Sequence, residues 1–270
     1  MEPGCTRLAR AGEGGIMLIA VINQSTNVTD ADVLTMTTAI ADQVRLDAAP
    51  LWDRPPASVI SYGTMPGSNQ GEKQKALQAV VPAAAHGITL VDDIPDQPKG
   101  VLGYHTEDEG GKLWGIVATN PSLENGAKTL TGDWSVSSIL SHEILEMYID
   151  PNCNLWATDN NGQIVSFEVC DPVEGPTYAV NNVSVANFVT PAYFDPLAAT
   201  NGKTKFDKLG SLKQPFTLLQ DGYYIYATSG KEQQKQGAAM LGGDNLPKWR
   251  LSAKEGYFAR TRHRRELLSG

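Results

Sequence analysis

The chain reads as an α+β domain, with a twisted mixed β-sheet packed on one side of a central helix that carries metal-ligand side chains. Three observations predict it. A β-α-β pattern opens the chain, a hairpin signal follows between residues 101 and 119, and an apolar helical run ending at Pro151 contains Ser141-His142-Glu143-Ile144-Leu145-Glu146.

Met17 to Asn23 is strand-like, and Met17 reads as a start that leaves residues 1–16 as a Gly-rich, disordered extension. The apolar run from Ile16 to Ile22 is short for a signal peptide, and no small-residue cleavage site follows it. Thr29-Asp30-Ala31-Asp32 offers an N-cap for a helix through about Asp47, with Val33, Leu34, Met36, Ile40, Val44 and Leu46 as its apolar positions. Pro50 to Pro56 breaks that helix, and Ala57 to Tyr62 is a second strand. Gly63 to Lys75 is polar and loop-like, His86 ends a helical alanine run, and Gly87 to Asp92 is a strand before the turn prolines Pro95 and Pro98. Val101 to His105 and Leu113 to Thr119 flank Glu107-Asp108-Glu109-Gly110-Gly111, a hairpin connection. The central helix starts near Asp133 or Ser135. On a wheel, Val136, Leu140, Ile144 and Met147 lie opposite His142 and Glu146, predicting one face on the core and one on a cleft shared with Ser135 and Ser138. Gln163 to Val169 and Asn182 to Val189 are further strands, Pro191 to Pro196 is a rigid aromatic turn, and Asp221-Gly222 with Tyr223 to Tyr226 is a late hairpin. The domain spans residues 17–230, and 231–270 form a basic, mobile C-terminal segment.

With 270 residues, 41% hydrophobic and 19% charged, the chain has room for a sizeable core and the composition of a globular protein. Its net charge of −8 argues against a body that coats nucleic acid, and also disfavours strongly acidic peptides. Residues 231–270 are nevertheless net basic, with Arg260, Arg262, Arg264 and Arg265 close together around His263. That run is a solvated tail or a contact for nucleic acid or an assembly partner. No apolar stretch is long enough to span a bilayer, so a cytoplasmic or assembly-associated protein is expected. Three cysteines do not make a disulfide scaffold. Cys153 and Cys170 flank the proposed site as buried thiols, and neither is read as a ligand.

Residues four apart on a helix are rotated by only about 40°, so His142 and Glu146 can point at one ion while Glu143 leans toward a water beside it. Hydrolysis by a single metal needs about three protein ligands, an open position for water and a base. Here His142 and Glu146 are two ligands and Glu143 is the general base. The third ligand comes from Phe167-Glu168-Val169-Cys170-Asp171-Pro172, with Glu168 completing the set and Asp171 supporting the ring of His142, or the reverse. Asp150 is a further candidate, though an Asp-Pro step also stops helices. His105, at the mouth of the hairpin, polarises a carbonyl, supplies the missing nitrogen ligand, or is a loop residue without a role. Two carboxylates and one imidazole lower the Lewis acidity of a bound zinc and suit Mn²⁺ or Ca²⁺ better than three imidazoles would. A structural ion is therefore a second reading. No phosphate-binding glycine loop, nucleophile elbow or EF-hand is present, Asp159-Asn160-Asn161-Gly162 being a turn. Trp114, Trp134 and Trp156 are core anchors, the last two bracketing the site.

Ser-His-Glu-x-x-Glu at 141–146, Asp150-Pro151 and Glu168-x-x-Asp171, together with Gly103-Tyr104-His105 and Asn187-Phe188-Val189, resemble a group of uncharacterised bacterial and phage metallopeptidase-like proteins. Plant phosphate-induced, exordium-like proteins have a similar spacing. More distantly the pattern resembles gluzincins, where a His-Glu-x-x-His helix precedes a Glu ligand and a nearby supporting Asp. Glu146 departs from that pattern by standing at the second His. The resemblance covers roughly residues 100 to 196. It implies a zincin-like fold, one divalent ion (zinc first, Mn²⁺ or Ca²⁺ otherwise) on His142, Glu146 and Glu168 with Asp171 beside them, and a peptide or protein substrate. A phage-derived or multisubunit assembly with a non-catalytic ion is the alternative it leaves.

Overall fold

The structure, a computed structural model, describes residues 16–95, 97, 101–107, 112–228 and 231–237. The hairpin loop at 108–111, Pro98, the N-terminal extension up to residue 15 and the basic run 260–265 with His263 lie outside the described residues.

Strand β1 (Leu18–Asn23) is a continuous apolar run because both of its faces are covered. Its alternate residues split between two cores. Ile19 and Val21 join the main one, while Ala20 and Ile22 meet Leu77 and Val81 on the other side of the sheet. Helix α1 (Asp30–Gln43) starts at a capping box: the Thr29 hydroxyl accepts from the Asp32 N–H, and the Asp32 carboxylate accepts from the Thr29 N–H. The helical path ends inside the expected break at Pro50 to Pro56, though past Pro50 itself. A π turn at Val44–Ala48 leads into α2 (Ala49–Trp52), so that Pro50 is carried inside a continuous helical path. Asp53, in the left-handed region at φ 48°, then ends the helical path.

Strand β2 (Ser58–Thr64) follows, and then α3 (Gln70–Val80) replaces part of the expected loop. The Asn69 side chain caps α3 by accepting from the Glu72 N–H, and the Glu72 carboxylate in turn accepts from the Ser68 N–H and hydroxyl. His86 begins β3 (His86–Val91) and does not end a helix, because the alanines before it form a turn. The expected hairpin is present as β4 (Gly103–Glu107) and β5 (Leu113–Ala118) in antiparallel register. Sheet order is β2-β1-β3-β5-β4, with β4 antiparallel at one edge and the other strands parallel.

A short helix α4 (Asn120–Leu123) leads toward α5 (Val136–Ile149), which is capped by Ser135 and stopped before Pro151 as the sequence predicts. All fourteen of its residues are buried, so the expected division into a core face and an open face is not observed. The additional cover comes from β4, from β9 (Val183–Ala186), which pairs with β8 (Thr177–Val180) as a hairpin, and from the segment after β7 (Ile164–Ser166). Glu168 follows β7 and is not part of it. Strands β6 (Trp156–Thr158), β7, β10 (Tyr223–Thr228) and β11 (Lys231–Gln236) form a second sheet, ordered β11-β10-β7-β6. Strand β11 falls in the segment read as a basic extension, yet it pairs with β10 along its length. The aromatic turn is a 3₁₀ turn at Pro191–Phe194, where Phe194 stacks on Phe167 at 4.0 Å. The architecture is therefore a mixed α+β one with a mixed main sheet, two smaller sheets and few helices. Among the described residues, no helix is long and apolar enough to cross a membrane.

Candidate metal centre

Three segments bring the site together. The first is α5, held at both ends. At its N-terminal end Ser135 caps, and at its C-terminal end the Arg54 guanidinium donates to the Tyr148 and Ile149 carbonyls at 3.1 and 2.8 Å. In its middle the Ser141 hydroxyl donates to Gln43 Oε1 at 2.6 Å and accepts from the Ala186 N–H at 3.0 Å, tying α5 to α1 and β9. The second is β4, whose two-residue period puts Gly103 and His105 on the α5 side while Tyr104 packs edge-on against Trp114. The third is 167–173, an entirely buried stretch ending in a 3₁₀ turn at Asp171.

Helical spacing brings His142 Nε2 to 3.2 Å from Glu146 Oε1, as expected for residues four apart. Asp171 Oδ1 lies 3.1 Å from that same Nε2. A residue that merely supports the ring would sit on the other nitrogen. Asp171 therefore occupies a ligand-like position, in line with the second of the two assignments that the sequence leaves open for Glu168 and Asp171. Glu168 is grouped elsewhere, with His105 and Glu146. Asp150 is not at the centre. Its carboxylate accepts from the Asn154 and Leu155 N–H groups at 3.0 and 3.1 Å and so closes the turn after α5. The residue missed from sequence is Cys170. Its thiol forms a group with His142 and Glu146 whose ligand atoms lie within 4.8 Å of one another. Its place between Glu168 and Asp171 was the available signal. Cys153 is separate: at φ 49° it brings Sγ to 3.1 Å from His105 Nε2.

His105 is fully buried and does not line the cleft. The expectation that it polarises a substrate carbonyl is therefore corrected. Its Nδ1 faces Glu143 Oε2 at 3.5 Å and Glu146 Oε2 at 3.8 Å, behind the cleft wall. Gly103 lets β4 approach, since a Cβ there would stand 3.0 Å from both Glu143 Oε1 and the Ile116 carbonyl oxygen.

A narrow cleft of about 60 Å³, partly open to solvent, runs over this centre. Val101, Leu102 and Gly103 line one side, and Val173 to Thr177 with Ala186 and Asn187 line the other. Ser138, His142, Glu143 and Cys170 form part of its wall, with Trp134 and Tyr223 also lining it. Of the acidic residues at the centre, only Glu143 reaches this surface, while Glu146, Glu168 and Asp171 are fully enclosed behind it.

Burial by itself would lower the His142 imidazole. The charge of Glu146, the hydrogen bonds to Asp171 and Glu146, and the charge of Glu143 outweigh it and push the imidazole up to about 10. Burial first, then the charges of Glu146, Asp171 and Glu143, push the Cys170 thiol well above its ordinary range. The two shifts share one contribution, the nearby carboxylates Glu146, Asp171 and Glu143, which favour a cation placed among these oxygens. The donor chemistry fits a divalent metal. Imidazole, carboxylate and thiol converge at His142, Glu146 and Cys170, and imidazole with two carboxylates at His105, Glu146 and Glu168.

No protein-family model, curated protein or solved structure matches this chain.

Proposed function

We propose that the protein is a metal-dependent hydrolase of zincin-like architecture acting on peptide bonds. The observation that carries this reading is the placement of Glu143. It is a carboxylate in the wall of an open cleft, one residue along α5 from His142 and backed by the buried donors Glu146, Asp171 and Cys170. A divalent ion held by His142 and Glu146, with Asp171 or Cys170 as a further donor, would supply Lewis acidity at the cleft wall. The Glu143 carboxylate is placed to take a proton from an attacking water and return it to the leaving amine. Gly103 and the buried imidazole of His105 hold that carboxylate in place from behind. The β4 edge supports a peptide as the substrate, because the chain entering it borders the cleft and an extended peptide is what a sheet edge accepts. Among tyrosines, Tyr223 lines the cleft and replaces His105 as the candidate partner of a developing oxyanion.

The test is Glu143→Gln assayed on a peptide library with metal content measured in parallel. Cleavage should fall by at least 100-fold with metal retained, and unchanged cleavage overturns the reading.

One observation favours a second reading, a non-catalytic ion that braces the fold of an assembly component. His105, Glu146, Glu168 and Asp171 are completely enclosed. Glu146 in place of an imidazole points the same way, since it weakens Lewis acidity. On that reading chelation lowers the melting temperature and no peptide is cut at any metal loading.

A further inference from the structure

Glu146 has its two oxygens turned toward two different histidines. Oε1 lies 3.2 Å from His142 Nε2, and Oε2 lies 3.8 Å from His105 Nδ1. Each histidine belongs to a separate group of three possible ligands, and Glu146 is the residue that both groups share.

The two ring nitrogens of His105 have different neighbours. Nε2 is 3.1 Å from Cys153 Sγ and 3.4 Å from the Asp150 carbonyl oxygen. Nδ1 faces carboxylate oxygens of Glu143 and Glu146, at 3.5 and 3.8 Å. His105 also forms, with Glu146 and Glu168, a group whose ligand atoms lie within 4.8 Å of one another. Ligand atoms about 2.1 Å from a shared tetrahedral ion lie about 3.4 Å apart, so a small inward movement of these side chains would seat one. An imidazole that meets a backbone carbonyl with one ring nitrogen and an ion with the other is the usual metal-binding arrangement.

We propose that the centre binds two divalent ions bridged by Glu146, the deeper one on His105 Nδ1, Glu146 Oε2 and Glu168. This rests on the reading of His142 and Glu146 as a metal site and extends it. The deeper seat is richer in carboxylate than the outer one, which has a thiol beside it, so Mn²⁺ suits the deeper and Zn²⁺ the outer. Ions sharing a carboxylate lie about 3.5–4 Å apart in two-metal sites, close enough for their electron spins to couple.

The experiment is a titration of chelator-stripped full-length protein with Mn²⁺, reading bound metal by equilibrium dialysis and coupling by electron paramagnetic resonance. Two equivalents and an exchange-coupled signal are expected. His105→Gln and Glu168→Gln should each drop the stoichiometry to one and leave an isolated-ion spectrum. One equivalent in the wild type, lost in His142→Gln, overturns the second seat and leaves the hydrolase reading standing. No bound ion overturns both. Two equivalents without coupling, unaffected by His105→Gln, also overturns the proposal, since the second ion then sits elsewhere. If a variant fails to fold, the wild-type stoichiometry and coupling decide alone.

Discussion

Ser141 precedes His142 and offers the sharpest test of how α5 is held. Its hydroxyl closes a buried ring with Gln43 and Ala186, donating to Gln43 Oε1 and accepting from the Ala186 N–H, while Gln43 Nε2 donates to the Ala186 carbonyl at 2.8 Å. Ser141→Ala removes one oxygen and leaves two enclosed polar atoms without that partner. Each such loss costs about 1–3 kcal/mol, so the sum is about 2–6 kcal/mol, toward the lower end if Gln43 reorients. For a domain of this size 1 kcal/mol moves the midpoint of thermal unfolding by about 2–4 °C, which predicts a drop of about 6–12 °C for a 3 kcal/mol effect. Urea unfolding followed by tryptophan fluorescence measures it, with an unchanged slope showing that only stability has moved. Thr38→Ala is the control. Its exposed hydroxyl bonds only the Leu34 carbonyl in its own helix, and about 0.5 kcal/mol or less is expected. A Ser141→Ala effect no larger than the control would refute the reasoning that this ring fixes α5 against α1 and β9.

Three further outcomes follow from the same geometry. Gly103→Ala places a methyl 3.0 Å from Glu143 Oε1 and from a backbone carbonyl that cannot yield, so on the hydrolase reading turnover should fall at least tenfold, about 1.4 kcal/mol, with metal stoichiometry intact; an unaffected rate would show that Glu143 tolerates displacement. Asp171→Asn should weaken metal binding by at least tenfold, whereas Asp150→Asn should leave binding alone and cost about 1.5–3 kcal/mol through one lost charge-assisted bond; elemental analysis beside urea unfolding separates the two, and the reverse pattern would make Asp150 the ligand. Hydrogen bonds from Asn23, from the Thr64 side chain and from the Thr64 backbone hold the Asp30 carboxyl below its ordinary 3.8. Its stabilising contribution is therefore complete above pH 3.8 and is lost as pH falls through the lower folded value; Asp30→Asn should flatten this acid limb of stability, and superimposable wild-type and variant pH curves would contradict that assignment.

Much of the fold was legible because local signals and tertiary packing agree. Ser135 and Pro151 bound α5, Thr29 with Asp32 starts α1, and the run from Leu18 to Ile22 is apolar on both faces because both faces of β1 are covered. Where signals were weak or conflicting, the reading failed. Helix α3 has few apolar positions and a glycine in its first turn, so its Asn69–Glu72 cap was the stronger signal. Pro50 to Pro56 reads as a break and the helical path does stop there, at Asp53, but the π turn that carries it past Pro50 is a register that no local pattern shows.

The centre itself separates what spacing determines from what it leaves open. Helical period places His142 and Glu146 together, and strand period places Gly103 and His105 on one side of β4, both readable in advance. Which nitrogen meets which carboxylate depends on how three segments distant in sequence approach one another. Glu168 and Asp171 are three residues apart, yet the chain turns between them, sending Glu168 toward His105 and Asp171 to His142 Nε2. That same turn presents Cys170 to Glu146 twice: its backbone N–H donates to Oε1 at 3.3 Å and its thiol joins the donor group. The wheel predicted an open face on α5 because His142, Glu143 and Glu146 are polar, whereas the structure encloses that face and leaves only an edge of it at the cleft. Within this enclosure Glu146 joins two groups of donors that could hold a metal ion, one at each histidine.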